Sequence, residues 1–173
     1  MLVLTNLMEF SKPSPFEIRQ IKSVLAYQYG SDNQSDFSEL FFKGTEILVV
    51  YSRSTGRIRH VFDENTRLFT IRASDGIITL SIEGAQKILD ILPSPKARVV
   101  VLTEVSSFIS SGRSVFSKHV VDCDPNIRSR DEVIAVNEDD VILGVGTALL
   151  PARSLLDFNT GMGIKIRHGS GLI

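Results

Sequence analysis

The segment Pro93-Ser94-Pro95 places the strongest constraint on how this chain folds. Proline has no backbone N–H and forces the residue before it into extended backbone, so no helix continues through this segment. Domains contain about 50–250 residues, and each side of the segment is long enough for a small one. The 173-residue sequence therefore predicts two domains, residues 1–95 and 96–173.

The first half is predicted to be a small α+β domain with an antiparallel sheet between helices. Ser14 and Glu17 form the capping-box pattern of a helix start, and Gly30 is a typical helix stop. Residues 31–36 are polar and predict a loop, and a short helix or turn is predicted for 37–43. Runs rich in β-branched and aromatic residues predict strands at 46–51, 57–62, 67–72 and 77–80, followed by a helix at 82–92.

The second half is predicted to be a mixed, partly closed β-barrel with short helices, which makes the whole chain α+β. Many short apolar runs alternate with glycine-marked bends, a pattern typical of small barrels. Strands are predicted at 98–102, 120–121, 131–136, 141–148 and 161–169, and helices at 105–110 and 151–158.

Composition excludes several classes of function. Cys123 is the one cysteine, so neither a disulfide framework nor a multi-cysteine zinc site is expected, and a reducing cytoplasm fits best. The apolar start, residues 1–10, lacks a basic lead-in and is a poor signal peptide, and no run reaches the ~20 apolar residues of a membrane span. No phosphate loop, zinc-ligand spacing or nucleophile elbow occurs, and we expect no metal and no cofactor.

The charge is zoned although the net charge is −1. Residues 1–95 carry 10 basic and 11 acidic groups, and residues 96–173 carry 9 of each. Within these halves the basic residues cluster, at Arg53, Arg57, Arg59, Arg67 and Arg72, at Arg113, Lys118, Arg128 and Arg130, and at Lys165, Arg167 and His168. Such clusters suit phosphate recognition, with a solubilising surface as the alternative.

Four blocks in the second half together resemble a PUA domain. They are Gly112-Arg-Ser-Val-Phe-Ser-Lys-His-Val-Val121, Asp131-Glu-Val-Ile-Ala-Val-Asn137, Gly144-Val-Gly-Thr-Ala148 and Gly161-Met-Gly-Ile-Lys-Ile-Arg-His-Gly169. The resemblance spans about residues 96–170 and implies a mixed-strand pseudo-barrel that binds structured RNA, commonly tRNA or guide RNA.

Three blocks of the first half, residues 18–30, 55–61 and 68–76, resemble the domain that precedes PUA in archaeal tRNA-guanine transglycosylases, the enzymes of archaeosine formation. Similar domain pairs occur in archaeosine synthase-like proteins. The aspartate nucleophile and cysteine-rich zinc site of the transglycosylase barrel have no counterpart here, and a barrel of typically ~250 residues does not fit beside two domains. We therefore expect no catalysis by this chain alone.

The PUA resemblance also implies where RNA binds. Its candidate residues are Gly112, Arg113, Ser114, Lys118, His119, Lys165, Arg167 and His168, with Arg128 and Arg130 extending the basic track. Lys118, Arg113 and Arg167 would neutralise phosphates, and Gly112 would admit a close RNA backbone and offer exposed amides. Phe116 is either a base-stacking residue or part of the core, and the core is favoured because its apolar neighbours must include the inward-facing set.

Three functions stay open at this point. The first is an autonomous RNA-binding module, and the second is an accessory subunit that delivers tRNA to a separate catalytic chain. In the second case Leu40, Phe41 and Phe42 are candidates for a partner surface, although core packing is favoured. The third is an enzyme of unknown type with a small site.

Overall fold

The computed structural model describes residues 9–30 and 34–171, with side chains 34–36 left aside. Residues 1–8 of the apolar start, which was expected not to be a signal peptide, lie outside the described residues, as do residues 31–33 of the predicted loop. The described chain divides between Ile78 and Thr79 into two compact units. The boundary predicted at Pro93–Pro95 stays a prediction.

The first unit contains two helices and an antiparallel sheet. The helices are α1 (Pro15–Tyr29) and α2 (Gln34–Phe41), and the strands are β1 (Ile47–Tyr51), β2 (Ile58–Asp63), β3 (Thr66–Ile71) and β4 (Ile78–Leu80), in that spatial order. The unit boundary falls within β4, so Thr79 and Leu80 are counted with the second unit. β1 pairs with β2 and β2 with β3, both antiparallel. The predicted order of helix, antiparallel strands and helix is confirmed along the chain, and its last helix, Ile82–Ile91, is counted with the second unit.

Helix α1 begins where its capping box predicts. The Glu17 N–H donates to the Ser14 hydroxyl at 3.3 Å, and the Ser14 N–H donates to the Glu17 carboxylate at 2.8 Å. These hydrogen bonds satisfy backbone donors that a helix start leaves without partners. The pKa of Glu17 is lowered, first by the backbone and hydroxyl of Ser14 and then by the Tyr51 hydroxyl, which donates at 2.9 Å.

The core of the first unit is aromatic. Phe41 and Phe42 are 2% and 7% exposed, and both rings pack near Phe69 at centroid distances of 6.1 and 6.4 Å. Core packing is therefore the role of both side chains. Leu40 is 52% exposed and remains available as a surface residue.

The second unit contains three helices and a six-stranded sheet. The helices are α3 (Ile82–Ile91), α4 (Ser106–Ser110) and α5 (Ala152–Asp157). The strands are β5 (Arg98–Val101), β6 (Val115–Phe116), β7 (Val120–Cys123), β8 (Glu132–Asn137), β9 (Ile142–Ala148) and β10 (Met162–Gly169). Their order is β6-β10-β9-β8-β5-β7, and the β5–β8 pairing is parallel.

The six-stranded sheet curls because its two edge strands are neighbours in sequence. The 3-10 turn Ser117–His119 alone separates β6 from β7. This short connection keeps the two edges close, so a flat sheet is impossible. The predicted mixed, partly closed barrel is confirmed.

Glycines let the barrel strands approach closely. A Cβ on Gly146 would lie 2.2 Å from the Lys165 carbonyl oxygen, which is too close for any side chain. Cys123 is 3% exposed within the barrel core, and its burial raises the pKa of the thiol to about 11, with smaller contributions from Asp122 and Asp124. The thiol therefore stays protonated near neutral pH and acts as a small apolar group.

A buried arginine ties three segments of the second unit together. Arg98 is 2% exposed, and its guanidinium donates to the Asp140 carboxylate at 2.7 and 3.1 Å. It also donates to the carbonyls of Leu89 and Lys96, so it joins the end of α3, the proline turn and the β8–β9 hairpin.

Candidate nucleic-acid interface

Two segments far apart in sequence lie side by side along one edge of the barrel. β6 pairs with β10 through Phe116–Met162 and Val115–Ile164. At one end the Ser117 N–H donates to the Gly161 carbonyl at 3.0 Å. We call residues 110–119 and 161–171 together the β6–β10 edge.

The other end of this edge is a close contact between two backbones. A Cβ on Gly169 would lie 2.1 Å from the Ser110 oxygen and 2.6 Å from the Gly112 nitrogen. The Gly171 N–H also donates to the Ser110 carbonyl at 3.0 Å. The structure thus brings the predicted Gly112 block and the predicted last strand together.

Gly112 is required by the backbone and leaves an open surface. Its φ of +93° lies in the region that L side chains rarely adopt, and apart from its own atoms and those of its two chain neighbours no heavy atom that the structure describes lies within 4 Å of where a Cβ would stand. Its N–H donates to the Ile109 carbonyl and that of Arg113 to the Phe108 carbonyl. These two amides are therefore not exposed donors, contrary to expectation, but a ligand backbone has room to approach.

Three of the predicted cations on this edge are exposed, namely Arg113, Lys118 and Lys165. Lys165 points outward because its neighbours Ile164 and Ile166 face the core. None of the three forms an ion pair with any side chain that the structure describes. Their charges are therefore available to an anionic ligand.

Arg167 lies on the same strand but has an internal partner. Its guanidinium forms a two-point ion pair with Glu132, whose side chain is 2% exposed, and donates to the Leu80 carbonyl at 2.9 Å. The structure thus gives Arg167 a role in holding the second unit together. A contact with RNA stays a prediction for this residue.

The histidines and Ser114 complete the edge. A bulge in β10 between Ile166 and His168 changes the alternation, so Arg167 and His168 are both on the outside. His119 and Ser114 are half-buried, and the His119 carbonyl accepts the Leu102 N–H.

Arg128 and Arg130 lie outside the two segments of this edge, in the loop before β8. Both are exposed, and Arg130 has a φ of +79° while its N–H donates to the Ala148 carbonyl at 2.7 Å. Ala148 ends β9, the strand next to β10. Within the described part of the chain, neither arginine forms a hydrogen bond or an ion pair with the β6–β10 edge.

The centre of the edge holds an apolar pair that the sequence analysis placed differently. Phe116 and Met162 are directly opposite each other and are 47% and 41% exposed. The expectation that Phe116 belongs to the core is wrong: Val115 is 1% exposed, and Val120 packs against the core while Val121 is exposed. Strict alternation from Val115 is the signal that would have found this.

Acidic residues that could suggest a cation site have other partners. Glu138 accepts the Thr103 N–H and hydroxyl at 2.9 and 2.8 Å, hydrogen bonds that lower its pKa, and Asp140 pairs with Arg98. Within residues 9–30 and 34–171, no three His, Cys, Asp or Glu side chains gather as metal ligands would. No helix in those ranges is long and apolar enough to cross a bilayer.

Two family models match the chain in sequence. Residues 19–95 match the patch-forming domain C2 of tRNA-guanine transglycosylase, and residues 97–170 match the PUA domain. Residues 19–170 are therefore similar to a C2 domain followed by a PUA domain, the arrangement that the sequence resemblance implied.

Curated relatives named tRNA-guanine(15) transglycosylase cover most of the chain. That of Methanocaldococcus jannaschii is 44% identical over 151 residues, which is 87% of this chain and 22% of the relative. That of Thermococcus onnurineus is 40% identical over 159 residues, which is 91% of this chain and 26% of the relative. The chain thus spans about a quarter of the length of these relatives.

Solved structures support the fold over both units. A hypothetical protein from Pyrococcus horikoshii has a TM-score of 0.74 at 20% identity and covers 94% of this chain and 95% of its own. A conserved PUA domain protein from Thermoplasma acidophilum has a TM-score of 0.67 at 20% identity, with the same coverage. At this identity the likeness establishes the fold alone.

Proposed function

We propose that this chain is an RNA-binding protein whose ligand is tRNA and that RNA lies along the β6–β10 edge. The observation that carries the proposal is the combination of three unpaired cations with the open surface at Gly112. Cations neutralise phosphates, and a position without a side chain lets the RNA backbone come close. The relatives are named tRNA-guanine(15) transglycosylase, and this name supports tRNA as the RNA that the chain binds.

The residues of the edge have different roles in this proposal. Arg113, Lys118 and Lys165 neutralise phosphates, while Phe116 and Met162 offer an apolar platform to an unpaired base. Ser114, His119 and His168 supply polar contacts between them. Arg128 and Arg130 extend the track, and Arg167 contributes by its position beside Glu132 as well as by its charge.

The chain itself acts without catalysis in this proposal. The two matched ranges cover most of it, and the relatives carry about three quarters of their length elsewhere. We propose residues 1–95 and 96–173 as its functional domains, a division that these ranges support. The single buried cysteine supports a cytoplasmic location.

The test compares two variants with the same change in net charge. Lys118→Ala/Lys165→Ala removes two cations from the β6–β10 edge, whereas Lys12→Ala/Lys43→Ala removes two exposed lysines from the first unit. Filter binding measures the affinity for unfractionated tRNA from 50 to 300 mM salt. Over a range of this kind, several phosphate contacts lower the affinity by ~10³–10⁵-fold, so the slope can be determined.

We expect the edge variant alone to bind tRNA more weakly and with a flatter salt dependence. Two lost phosphate contacts should reduce the slope of log affinity against log salt by about 1.4–1.8. Equal affinity and slope in the two variants would show that the edge is not the RNA surface.

An accessory subunit is the second candidate, favoured because the relatives are enzymes of which this chain resembles about a quarter. Leu40, exposed on α2, is a position for the partner contact. Co-purification of the tagged chain with a transglycosylase-like protein, lost in Leu40→Asp, would support this function.

A further inference from the structure

A large groove in the first unit has no role in the function proposed so far. It lies between α1 and the neighbouring ends of β2 and β3, and its volume is about 1190 Å³. Small-molecule sites usually measure about 300–1,000 Å³, so this groove has room for an extended ligand.

The groove is positively charged. Arg57 and Arg59 line it, both are exposed, and neither forms an ion pair with any described side chain. Arg72 also lines it but is paired with Asp75 at 3.0 Å. Glu17 also lines the groove and keeps its negative charge while it accepts hydrogen bonds from Ser14 and Tyr51, so Arg57 and Arg59 together leave the lining with a net positive charge.

Beside the arginines the groove offers aromatic and aliphatic surface. Phe16 is 60% exposed at its border, and the guanidinium of Arg19 lies 5.9 Å from the ring centroid. Val24, Ile58 and Ile71 are half-buried lining residues. A ligand that satisfies this lining needs flat apolar groups and negative charges in alternation.

We propose that this groove binds a short unpaired segment of the RNA, with Arg57 and Arg59 on phosphates and Phe16 against a base. The inference rests on the proposed RNA-binding function and extends it to the first unit. Guanidinium groups contact phosphates at two points, and exposed aromatic rings stack on unpaired bases. An unpaired segment exposes base faces to the ring, whereas a duplex keeps them stacked internally.

An acidic peptide is the competing occupant, and it fits less well. Its carboxylates would pair with Arg57 and Arg59, but a run of Asp and Glu residues offers no flat ring to Phe16 and the aliphatic lining. A single strand of nucleotides supplies an anion and a planar group at each residue. The charge and the apolar surface of the groove are thus both used by RNA.

The test measures binding of fluorescein-labelled octauridylate, octaglutamate and unfractionated tRNA to the full chain. Arg57→Ala/Arg59→Ala is compared with Lys12→Ala/Lys43→Ala, which has the same net charge. For octauridylate we expect at least a fivefold loss of affinity in the groove variant alone. Its salt slope should fall by about 1.4, as two single-strand phosphate contacts require.

A second variant tests the base contact separately. Phe16→Ala removes an exposed ring, so folding should be preserved, and the octauridylate affinity should fall without a change in salt slope. Ultraviolet crosslinking of octauridylate should mark the peptide that contains Phe16.

The outcomes separate the two proposals. Absence of tRNA binding by the wild-type chain overturns the proposed function. If Arg57→Ala/Arg59→Ala binds tRNA and octauridylate as wild type does, the proposal for the groove is wrong and the proposed RNA-binding function is unaffected. Octaglutamate binding as tight as that of octauridylate assigns the groove to acidic peptides and also overturns it.

Discussion

Loss of the Arg167 side chain should destabilise the second unit strongly, because Arg167 is the partner of a buried anion. The Glu132 side chain is 2% exposed, and Arg167 together with the Leu80 N–H, which donates at 2.9 Å, satisfies its oxygens. Removing one member of a buried pair costs about 3–5 kcal/mol, since the other charge stays without compensation. Arg167 is 30% exposed and water enters the vacated space, so we expect about 3 kcal/mol for Arg167→Ala.

Replacement of the anion should cost less. In Glu132→Gln the amide oxygen still accepts the Leu80 N–H, and the remaining Arg167 charge reaches solvent, so we expect about 1–2 kcal/mol. In Glu132→Gln/Arg167→Ala no buried charge remains, and the loss should be clearly smaller than the sum of the single losses. Urea unfolding of the three variants and the wild type measures these free energies.

The same variants decide the role of Arg167 in binding. If it is mainly structural, the doubly changed chain should bind tRNA about as well as Glu132→Gln once folding is complete. A folding free energy of Arg167→Ala within about 0.5 kcal/mol of wild type would refute the buried-pair argument. If Arg167→Ala is as stable as wild type and still loses tRNA binding, Arg167 contacts the RNA directly.

Three further results are expected. Iodoacetamide should label Cys123 at pH 8 far more slowly in the native chain than in urea, because burial raises the thiol pKa to about 11. Glu17→Gln should cost well under the about 1 kcal/mol of a lost N-cap in urea unfolding, because Gln at this position still completes the capping box and only the charge is removed. Because the folded-state pKa of Glu17 is lowered, its carboxylate contributes stability above the ordinary value of 4.5, and the difference between wild type and Glu17→Gln should shrink as pH falls through the folded pKa. Gly112→Ala should cost about 1–2 kcal/mol through its positive φ alone, whereas Gly169→Ala should cost more, because its Cβ would overlap Ser110.

The elements could be predicted because their signals are local. The capping box at Ser14, the proline segment and the glycine-marked bends all act within a few residues, and the helices and strands follow them. The parallel pairing of β5 with β8 and the sheet order carry no such signal, since they depend on packing between distant segments.

The sequence also could not show which basic side chains form ion pairs within the fold. Lys165 and Arg167 are two residues apart on one strand and have the same charge, so alternation predicts the same role for both. Glu132, 35 positions from Arg167, makes the difference. Resemblance to a family predicts which surface binds RNA, but only the structure separates the paired Arg167 from the unpaired Lys165 on it.

Phe116 provides the clearest test of whether this surface binds unpaired bases. The side chain is 47% exposed beside Met162. Phe116→Ala should therefore lower the free energy of unfolding by far less than a buried Phe→Ala change, which costs about 3–5 kcal/mol. Stacking of a base on an aromatic ring contributes about 1–3 kcal/mol, and its loss should weaken tRNA binding by about 5- to 150-fold. Because no charge is removed, the salt slope should stay that of wild type, unlike that of Lys118→Ala/Lys165→Ala. Phe116→Leu keeps apolar area without the ring, so wild-type affinity in this variant would mean that the surface contributes burial and not stacking.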